Sequence, residues 1–288
     1  MRFVLNFGMG DPMHGVPLAQ AAEAAGYDAL VCPDSFFYPK ESDSKYLYNE
    51  DGDRTFLDGV PFFDPAVWMA TWAALTKTLR FYPSVYKLPS RHPVQVAKIF
   101  SSLCVASNNR ISLGVGSSPW REDLTVFGLE WETRGKRMDE CIAIIRGLLT
   151  GNYFGFEGQF YKFPEIKMNP APTKPMPILV GGHAPPALRR AAKTGDGWVS
   201  ANTTFDVIKD LIGKLNDARR EAGTDKKPFE IHAFDVGLTK VDDVKRLRDL
   251  GVTHAPVIPW LVHGFNPPLE QKLDAVKRFG DEVIGKVG

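Results

Sequence analysis

Cysteine is scarce in this sequence, and the three cysteines it holds are far apart. Cys32, Cys104 and Cys141 form no C-x-x-C pair, and each lies in an apolar stretch. Widely spaced cysteines of this kind are typical of reduced core thiols and untypical of disulfide frameworks or zinc sites. We therefore expect a protein of a reducing compartment, namely the cytoplasm.

A surplus of either charge is also absent. The 35 Lys and Arg residues nearly cancel the 34 Asp and Glu residues, and no block of like charge occurs. Nucleic acids and anionic membranes are recognised through clustered basic residues, so neither is expected as a partner. The composition favours a small-molecule partner.

No apolar run approaches the roughly 18 residues that a membrane span requires. The first apolar run, RFVLNF, is too short for the core of a signal peptide, and glycines follow it instead of a cleavage motif. Neither a membrane-spanning nor a secreted protein is expected.

Histidine pairs with metal-binding spacing are missing as well. The six histidines form no H-x-H or H-E-x-x-H pair, and carboxylates are sparse at the ends of the predicted strands. His232 and Asp235 are interpreted as core and edge polarity. The sequence therefore predicts no metal site.

Short β-rich runs alternate with helical stripes along the chain, and this alternation predicts the fold. Eight successive β-then-α units in 288 residues predict one (β/α)8 TIM barrel domain over residues 1–288, with a doubly wound sheet as the alternative. Functional sites on such a barrel gather at the C-terminal ends of the strands. The predicted strands are RFVLNF, YDALVCP, LRFYPSVY, RISLGVG, PILVGG, GWVSAN, FEIHAFD and THAPVIP.

Two segments are longer than ordinary connecting loops. Residues 36–63 follow strand 2, and residues 153–175 precede strand 5, where YFGFEGQFYKF predicts a hairpin. Aromatic residues in the first insertion suit a planar or apolar substrate, but they suit packing of the insertion on the barrel equally well. These aromatic residues are Phe36, Phe37, Tyr38, Tyr46 and Tyr48.

The stretch RISLGVGSSPW begins like a dinucleotide-binding turn, but Pro119 stands where the third glycine of that motif belongs. Gly116, Ser117 and Ser118 still offer backbone amides and two hydroxyls at the end of a strand. Such a turn can receive a phosphate, and it can equally be an ordinary β-to-α connection.

A second group of small residues ends the fifth predicted strand. Gly181, Gly182 and His183 lie where backbone amides of a barrel can approach the phosphate or tail of a cofactor.

Several motifs, in the expected order, resemble the bacterial luciferase-like monooxygenase superfamily. They include FFDPAVWMATWAALTKTLRF, PSRHPVQVAKIF, WREDLTVFGLEWETRGKRMDE, YKFPEIKMNPAP and PILVGG, and the likeness covers about residues 1 to 260. The insertion of residues 38–59 looks most like a branch that uses the deazaflavin coenzyme F420. The resemblance implies a barrel with the ring of F420, or alternatively FMN, over the strand ends, and a homodimer.

The resemblance also implies a non-prolyl cis peptide at the end of strand 3, under the ring. Counting back from RHP places this bond between Ser84 and Val85. Asp34 and Ser35 end strand 2, where related deazaflavin enzymes often carry an acid followed by a histidine. The candidate cofactor-binding residues are Asp34, Ser35, Ser84, Val85, Gly116, Ser117, Ser118, Gly181, Gly182 and His183.

Pro119 stands where the sugar-phosphate dehydrogenases of the superfamily hold a glutamate base, and Ser35 stands where they hold the histidine. A serine hydroxyl cannot replace a histidine as acid or base, which argues against oxidation of a sugar phosphate. The sequence predicts instead an F420-dependent oxidoreductase that transfers a hydride in the reductive direction. Ser35 and Tyr38 are its candidate catalytic residues.

Two alternatives stay open, an FMN-dependent monooxygenase and a non-catalytic barrel that binds a flavin or deazaflavin. The anionic tail of F420 is expected near Lys87, Arg91 or Arg121, by position along the chain.

Overall fold

The computed structural model describes residues 1–46 and 51–287, so Tyr48 of the aromatic set lies outside the described residues. The strands are β1 (Arg2–Asn6), β2 (Ala29–Cys32), β3 (Arg80–Pro83), β4 (Tyr86–Lys87), β5 (Leu113–Gly116), β6 (Tyr153–Glu157), β7 (Lys162–Lys167), β8 (Ile178–Gly181), β9 (Gly197–Val199), β10 (Glu230–His232) and β11 (His254–Val257).

The helices are α1 (Gly15–Ala24), α2 (Pro65–Leu75), α3 (Pro93–Ala106), α4 (Glu122–Thr125), α5 (Arg134–Leu148), α6 (Pro185–Thr194), α7 (Phe205–Glu221), α8 (Val241–Asp249), α9 (Leu269–Phe279) and α10 (Gly285–Val287). Short 3-10 turns cover Pro12–His14, Thr55–Leu57, Leu88–Ser90, Trp131–Thr133 and Leu261–His263, and a π-helical turn, Gly280–Ile284, follows α9.

Nine parallel strands follow one another around a barrel, in the order β3, β2, β1, β11, β10, β9, β8, β5 and β4. β3 and β4 are two parts of one strand position, since β3 pairs with β2 and β4 pairs with β5. A parallel bridge between Phe81 and Ile111 brings β3 against the residues that lead into β5. The predicted (β/α)8 barrel is therefore confirmed, and the doubly wound alternative is wrong.

Alternation along the strands separates two apolar layers. Val4, Val31 and Leu179 belong to a small cluster that fills the inside of the barrel. Their strand neighbours, such as Leu5 and Val180, belong to the larger core between strands and helices. The barrel is thus a packed core, and ligands must bind at its ends.

Helix α3 shows how local sequence sets the geometry of the barrel mouth. His92 precedes it and accepts a hydrogen bond from the Val94 N–H at 3.3 Å, and Pro93 occupies the first turn. A proline suits this position because its missing N–H would have no partner inside the helix. The predicted apolar face, Val96, Phe100 and Leu103, is buried.

Both predicted insertions are present. Residues 33–64 connect β2 to α2 and hold only a 3-10 turn as regular structure among those described. β6 and β7 pair as the predicted antiparallel hairpin before β8. Among the described residues, no helix is long and apolar enough to cross a membrane.

Candidate functional site

The peptide bond between Ser84 and Val85 is cis, as predicted, and it lies between β3 and β4 at the C-terminal end of the barrel. The Val85 side chain occupies the space next to two glycines of neighbouring strands. A Cβ added to Gly116 would lie 2.5 Å from Val85 Cγ2, and one added to Gly181 would lie 2.8 Å from Val85 Cγ1. The ends of β5 and β8 therefore carry glycines, and the Val85 side chain occupies the space that their side chains would need.

We call Val85, Gly116 and Gly181 the valine floor. Real Cβ atoms essentially never approach another heavy atom to within 3.0 Å, so both glycines are required by the valine between them. The floor is apolar and lies directly above the side chains that fill the inside of the barrel, against which Val85 packs. A surface of this kind suits one face of a planar ring.

Ser117 and Ser118 follow the floor in a tight turn, which we call the serine turn. Ser118 has a left-handed backbone with φ of +67°, and its Oγ accepts a hydrogen bond from the Trp120 N–H at 3.1 Å. The Ser118 hydroxyl also donates to the carboxylate of Asp123. That carboxylate is fully buried, and the Lys87 Nζ lies 2.7 Å from its Oδ2. A buried ion pair therefore holds the turn in place.

Gly182 and His183 continue strand β8 into a second turn, which we call the β8 turn. Gly182 has a φ of +121°, which only glycine adopts readily, and its carbonyl accepts a hydrogen bond from Trp198 Nε1 at 2.9 Å. His183 Nε2 accepts from the Ala201 N–H at 3.0 Å. Burial lowers the pKa of His183, so the ring is neutral at pH 7 and can accept this bond.

Asp34 faces inward and anchors the first insertion to the barrel. Its carboxylate meets the Arg91 guanidinium at two points, with Nη1 2.7 Å from Oδ2 and Nη2 2.9 Å from Oδ1. The Lys87 N–H donates to the same Oδ2 at 2.7 Å. Phe36 and Tyr86 cover the guanidinium, whose carbon lies 3.9 and 3.7 Å from the two ring centres.

The two candidate catalytic residues lie beside this network. The Ser35 hydroxyl donates to the Phe37 carbonyl at 3.2 Å and accepts from Lys87 Nζ at 3.4 Å. Tyr38 lies edge-on to Trp120 with ring centres 6.3 Å apart, and the Arg54 guanidinium lies 4.8 Å from the Tyr38 ring centre. The insertion therefore packs Tyr38 against Trp120, next to the serine turn.

Lys87 and Arg91, two of the three cations expected near the anionic tail, already have partners inside the protein. Both side chains are largely buried, and each is paired with an internal carboxylate. Arg121 is different, because its side chain is 58% exposed and pairs with the similarly exposed Glu132. Of the three expected cations, only Arg121 is available to solvent.

The structure thus brings Val85, the serine turn and the β8 turn to one end of the barrel, and it commits Asp34 to an internal ion pair. Asp123 was missed by the sequence reasoning. The available signal was an acid five residues after Ser118, within reach of the hydroxyl once the turn forms.

Comparison with known proteins gives three findings. The family profile described as luciferase-like monooxygenase matches residues 6–239. An uncharacterized protein of Mycobacterium tuberculosis is 49% identical over 290 residues, which cover all of both chains. An F420-dependent glucose-6-phosphate dehydrogenase of Gordonia bronchialis is 29% identical over 231 residues, covering 78% of this chain and 62% of that protein.

The fold also matches solved structures. An F420-dependent secondary alcohol dehydrogenase, in complex with an F420-acetone adduct, superposes with a TM-score of 0.78 at 16% identity, with full coverage of both chains. At this identity the likeness concerns the fold alone.

Proposed function

Because this chain belongs to the luciferase-like monooxygenase family, we propose that it is an F420-dependent oxidoreductase that reduces a small organic substrate. F420-dependent enzymes occur both among its sequence relatives and among the barrels of the same fold. When bound, reduced F420 supplies a hydride, and the protein supplies binding, orientation and proton delivery.

The valine floor is the observation that carries this proposal. It is apolar, it lies at the end of the barrel where sites gather, and two glycines keep it clear of side chains. The residues present therefore fit a planar tricyclic ring. Backbone groups of the serine turn and of Gly182 and His183 flank the floor and would hold the phosphate.

Two residue types at the mouth support the reductive direction that we propose. Oxidation of an alcohol needs a base near the reacting carbon, but Ser35 and Pro119 occupy the positions at which the resemblance places an imidazole and a carboxylate. Reduction needs no such base. The substrate gains a hydride on one atom and a proton on the next, and either water or the Tyr38 hydroxyl supplies that proton.

The experiment is a comparison of cofactor binding and turnover in the purified protein. We expect F420 to bind more tightly than FMN in a fluorescence titration, and reduced F420 to be oxidised anaerobically by an activated alkene or a quinone. Glucose 6-phosphate is expected to give no reduction of oxidised F420.

Three results would contradict the proposal, each in a different way. Tighter binding of FMN, with oxygen-dependent turnover, would make the protein a monooxygenase. Binding of F420 without turnover by any acceptor would make it a non-catalytic carrier. Reduction of F420 by glucose 6-phosphate at the rate of a dehydrogenase would reverse the direction.

A further inference from the structure

A second polar cluster lies inside the barrel at the opposite, N-terminal end. Glu230 and His232 lie on the same, inward face of strand β10. His254, the first residue of β11, is the register partner of His232. One potential ligand atom from each of the three residues lies within 4.8 Å of the others. The two imidazole rings stack in parallel with centres 4.0 Å apart.

His254 Nε2 is the atom in this cluster that lacks a partner. The residue is 3% exposed, and Nε2 has no hydrogen bond among the described residues. Its other nitrogen, Nδ1, lies 2.8 Å from Thr253 Oγ1, and that hydroxyl donates to the Ile231 carbonyl. Nδ1 must then carry the ring proton, which leaves a lone pair on Nε2.

This lone pair faces carboxylates instead of donors. Asp28 Oδ2 lies 3.7 Å from His254 Nε2, and Glu230 Oε2 lies 2.9 Å from His232 Nε2. A buried acceptor beside acidic oxygens lacks a positive partner, and leaving it so is costly.

The charge balance favours a cation at the same place. Asp28 and Glu230 contribute two negative charges, and the Arg80 guanidinium, 3.4 Å from each, neutralises one of them. Arg2 also approaches Asp28, at 3.5 Å, but its side chain is 59% exposed and is screened by water. Arg80 is the less exposed of these two arginines, so Asp28 and Glu230 share one partly buried guanidinium between them.

We propose that His232, His254 and Glu230 form a binding site for a divalent transition-metal ion of the zinc type. Two imidazoles and one carboxylate are a recurring ligand set for such ions, with water in the remaining position. The proposal is independent of the proposed function, because the cluster lies at the end of the barrel away from the valine floor.

The surroundings already provide the contacts that fix metal ligands in known sites. Tyr82 holds His232 Nδ1 at 2.7 Å, Thr253 holds His254 Nδ1, and Arg80 holds the second oxygen of Glu230. Such contacts fix the orientation of ligating side chains and raise metal affinity. Donors around tetrahedral zinc lie roughly 3.3 Å apart, from bond lengths near 2.0 Å. The ligand atoms, now within 4.8 Å of one another, must therefore move closer together on binding, and the parallel stacking of the two rings must be lost.

The absence of closely spaced histidine pairs along the chain predicts no metal site. The fold supplies the pair across two strands, through the register of His232 with His254. The only local signal was the spacing of Glu230 and His232, which places both on one face of a strand.

The test uses Co²⁺ alone, added to untagged protein that has been treated with a chelator. We expect one equivalent to bind, with the visible absorption of cobalt in a nitrogen and oxygen site, and Zn²⁺ to displace it. The variant H254Q should lose this absorption, and E230Q should weaken binding at least tenfold. The control H263Q, at an exposed histidine after β11, should bind as the parent does.

Thermal unfolding gives a second readout, because an ion that binds only the folded state raises the melting temperature. Zn²⁺ should raise it for the parent and for H263Q, and leave it unchanged for H254Q. If H254Q does not fold, the cobalt titration of the parent and of T253A decides, because loss of the Thr253 contact should weaken binding. Failure of the parent to bind Co²⁺ at micromolar concentration, or equal binding by H254Q and H263Q, would overturn the proposal.

Discussion

Arg91 and Asp34 form a two-point ion pair at the mouth of the barrel, with the guanidinium 12% and the carboxylate 1% exposed. The pair joins the end of strand β2 to the start of helix α3. It thereby fixes the beginning of the long insertion relative to the valine floor, and the guanidinium fills the space between two aromatic rings. Asp34 therefore has a structural role that its position along the chain did not reveal.

Removing one partner of this pair is expected to be costly. The substitution D34A leaves the largely buried Arg91 guanidinium with only the half-exposed Asp64, 3.9 Å away, as a counter-charge, and it also frees the Lys87 N–H. We expect the free energy of unfolding, measured by urea denaturation, to fall by about 3–5 kcal/mol. As a control, E157A breaks the pair with Lys162, in which both side chains are more than 70% exposed, and should change nothing measurable. Equal effects of the two substitutions would refute the structural role of Asp34.

The valine floor gives a prediction for cofactor affinity. The substitution G116A places a methyl group 2.5 Å from Val85 Cγ2, so the valine must move out of the floor. We expect the affinity for F420, measured by fluorescence, to fall at least tenfold. The second substitution V85A removes the clash and should restore most of the affinity in the double variant. G213A, where an added Cβ meets nothing within 4 Å, is the matched control.

The sequence predicts the fold more completely than it predicts the site. The eight strands and both insertions follow from local patterns, because periodicity and turn residues are written along the chain. Ser84–Val85 followed from the family resemblance, which fixes the register of the third strand. The parallel order of the strands then follows from short right-handed connections.

The partners of charged residues could not be predicted in the same way. Lys87 and Arg91 lie near the mouth, but the acids that pair with them are distant along the chain. One of these acids, Asp123, is not among the residues that the sequence predicts for the site. The stacking of His232 on His254 depends on the register of two strands. Such contacts are properties of the closed barrel, and no local pattern encodes them.

The three cysteines are expected to be unreactive in the folded protein. All three side chains are buried, and burial raises the pKa of both Cys104 and Cys141 to about 12 and that of Cys32 well above its usual value. Because the thiolate is the reactive form, Ellman's reagent at pH 8 should detect almost no thiol in native protein and three in guanidinium chloride. Rapid reaction of one native thiol would show that its segment opens readily.

Glu23 carries the last prediction, which concerns acid stability. Its carboxylate, on helix α1, accepts hydrogen bonds from the N–H groups of Lys77 at 2.8 Å, Thr78 at 2.6 Å and Leu79 at 3.0 Å. It also accepts one from the Thr78 hydroxyl at 2.9 Å. These bonds lower the pKa of Glu23 from 4.5 to about 2, although burial acts in the opposite direction. The ionised carboxylate therefore holds the segment that leads into strand β3.

The sign of the pH dependence follows from this lowered pKa. Glu23 contributes its full stabilisation above pH 4.5, and the contribution is lost as the pH falls from there towards about 2. A hydrogen bond to a charged group contributes about 1.5–3 kcal/mol, and the neutral glutamine oxygen can still accept a weaker bond. We therefore expect E23Q to lower the free energy of unfolding by about 1–2 kcal/mol at pH 7. The difference from the parent should shrink steadily below pH 4.5. E165Q, at an exposed glutamate of strand β7, should give no such difference, and a difference for E23Q that does not change with pH would contradict the lowered pKa.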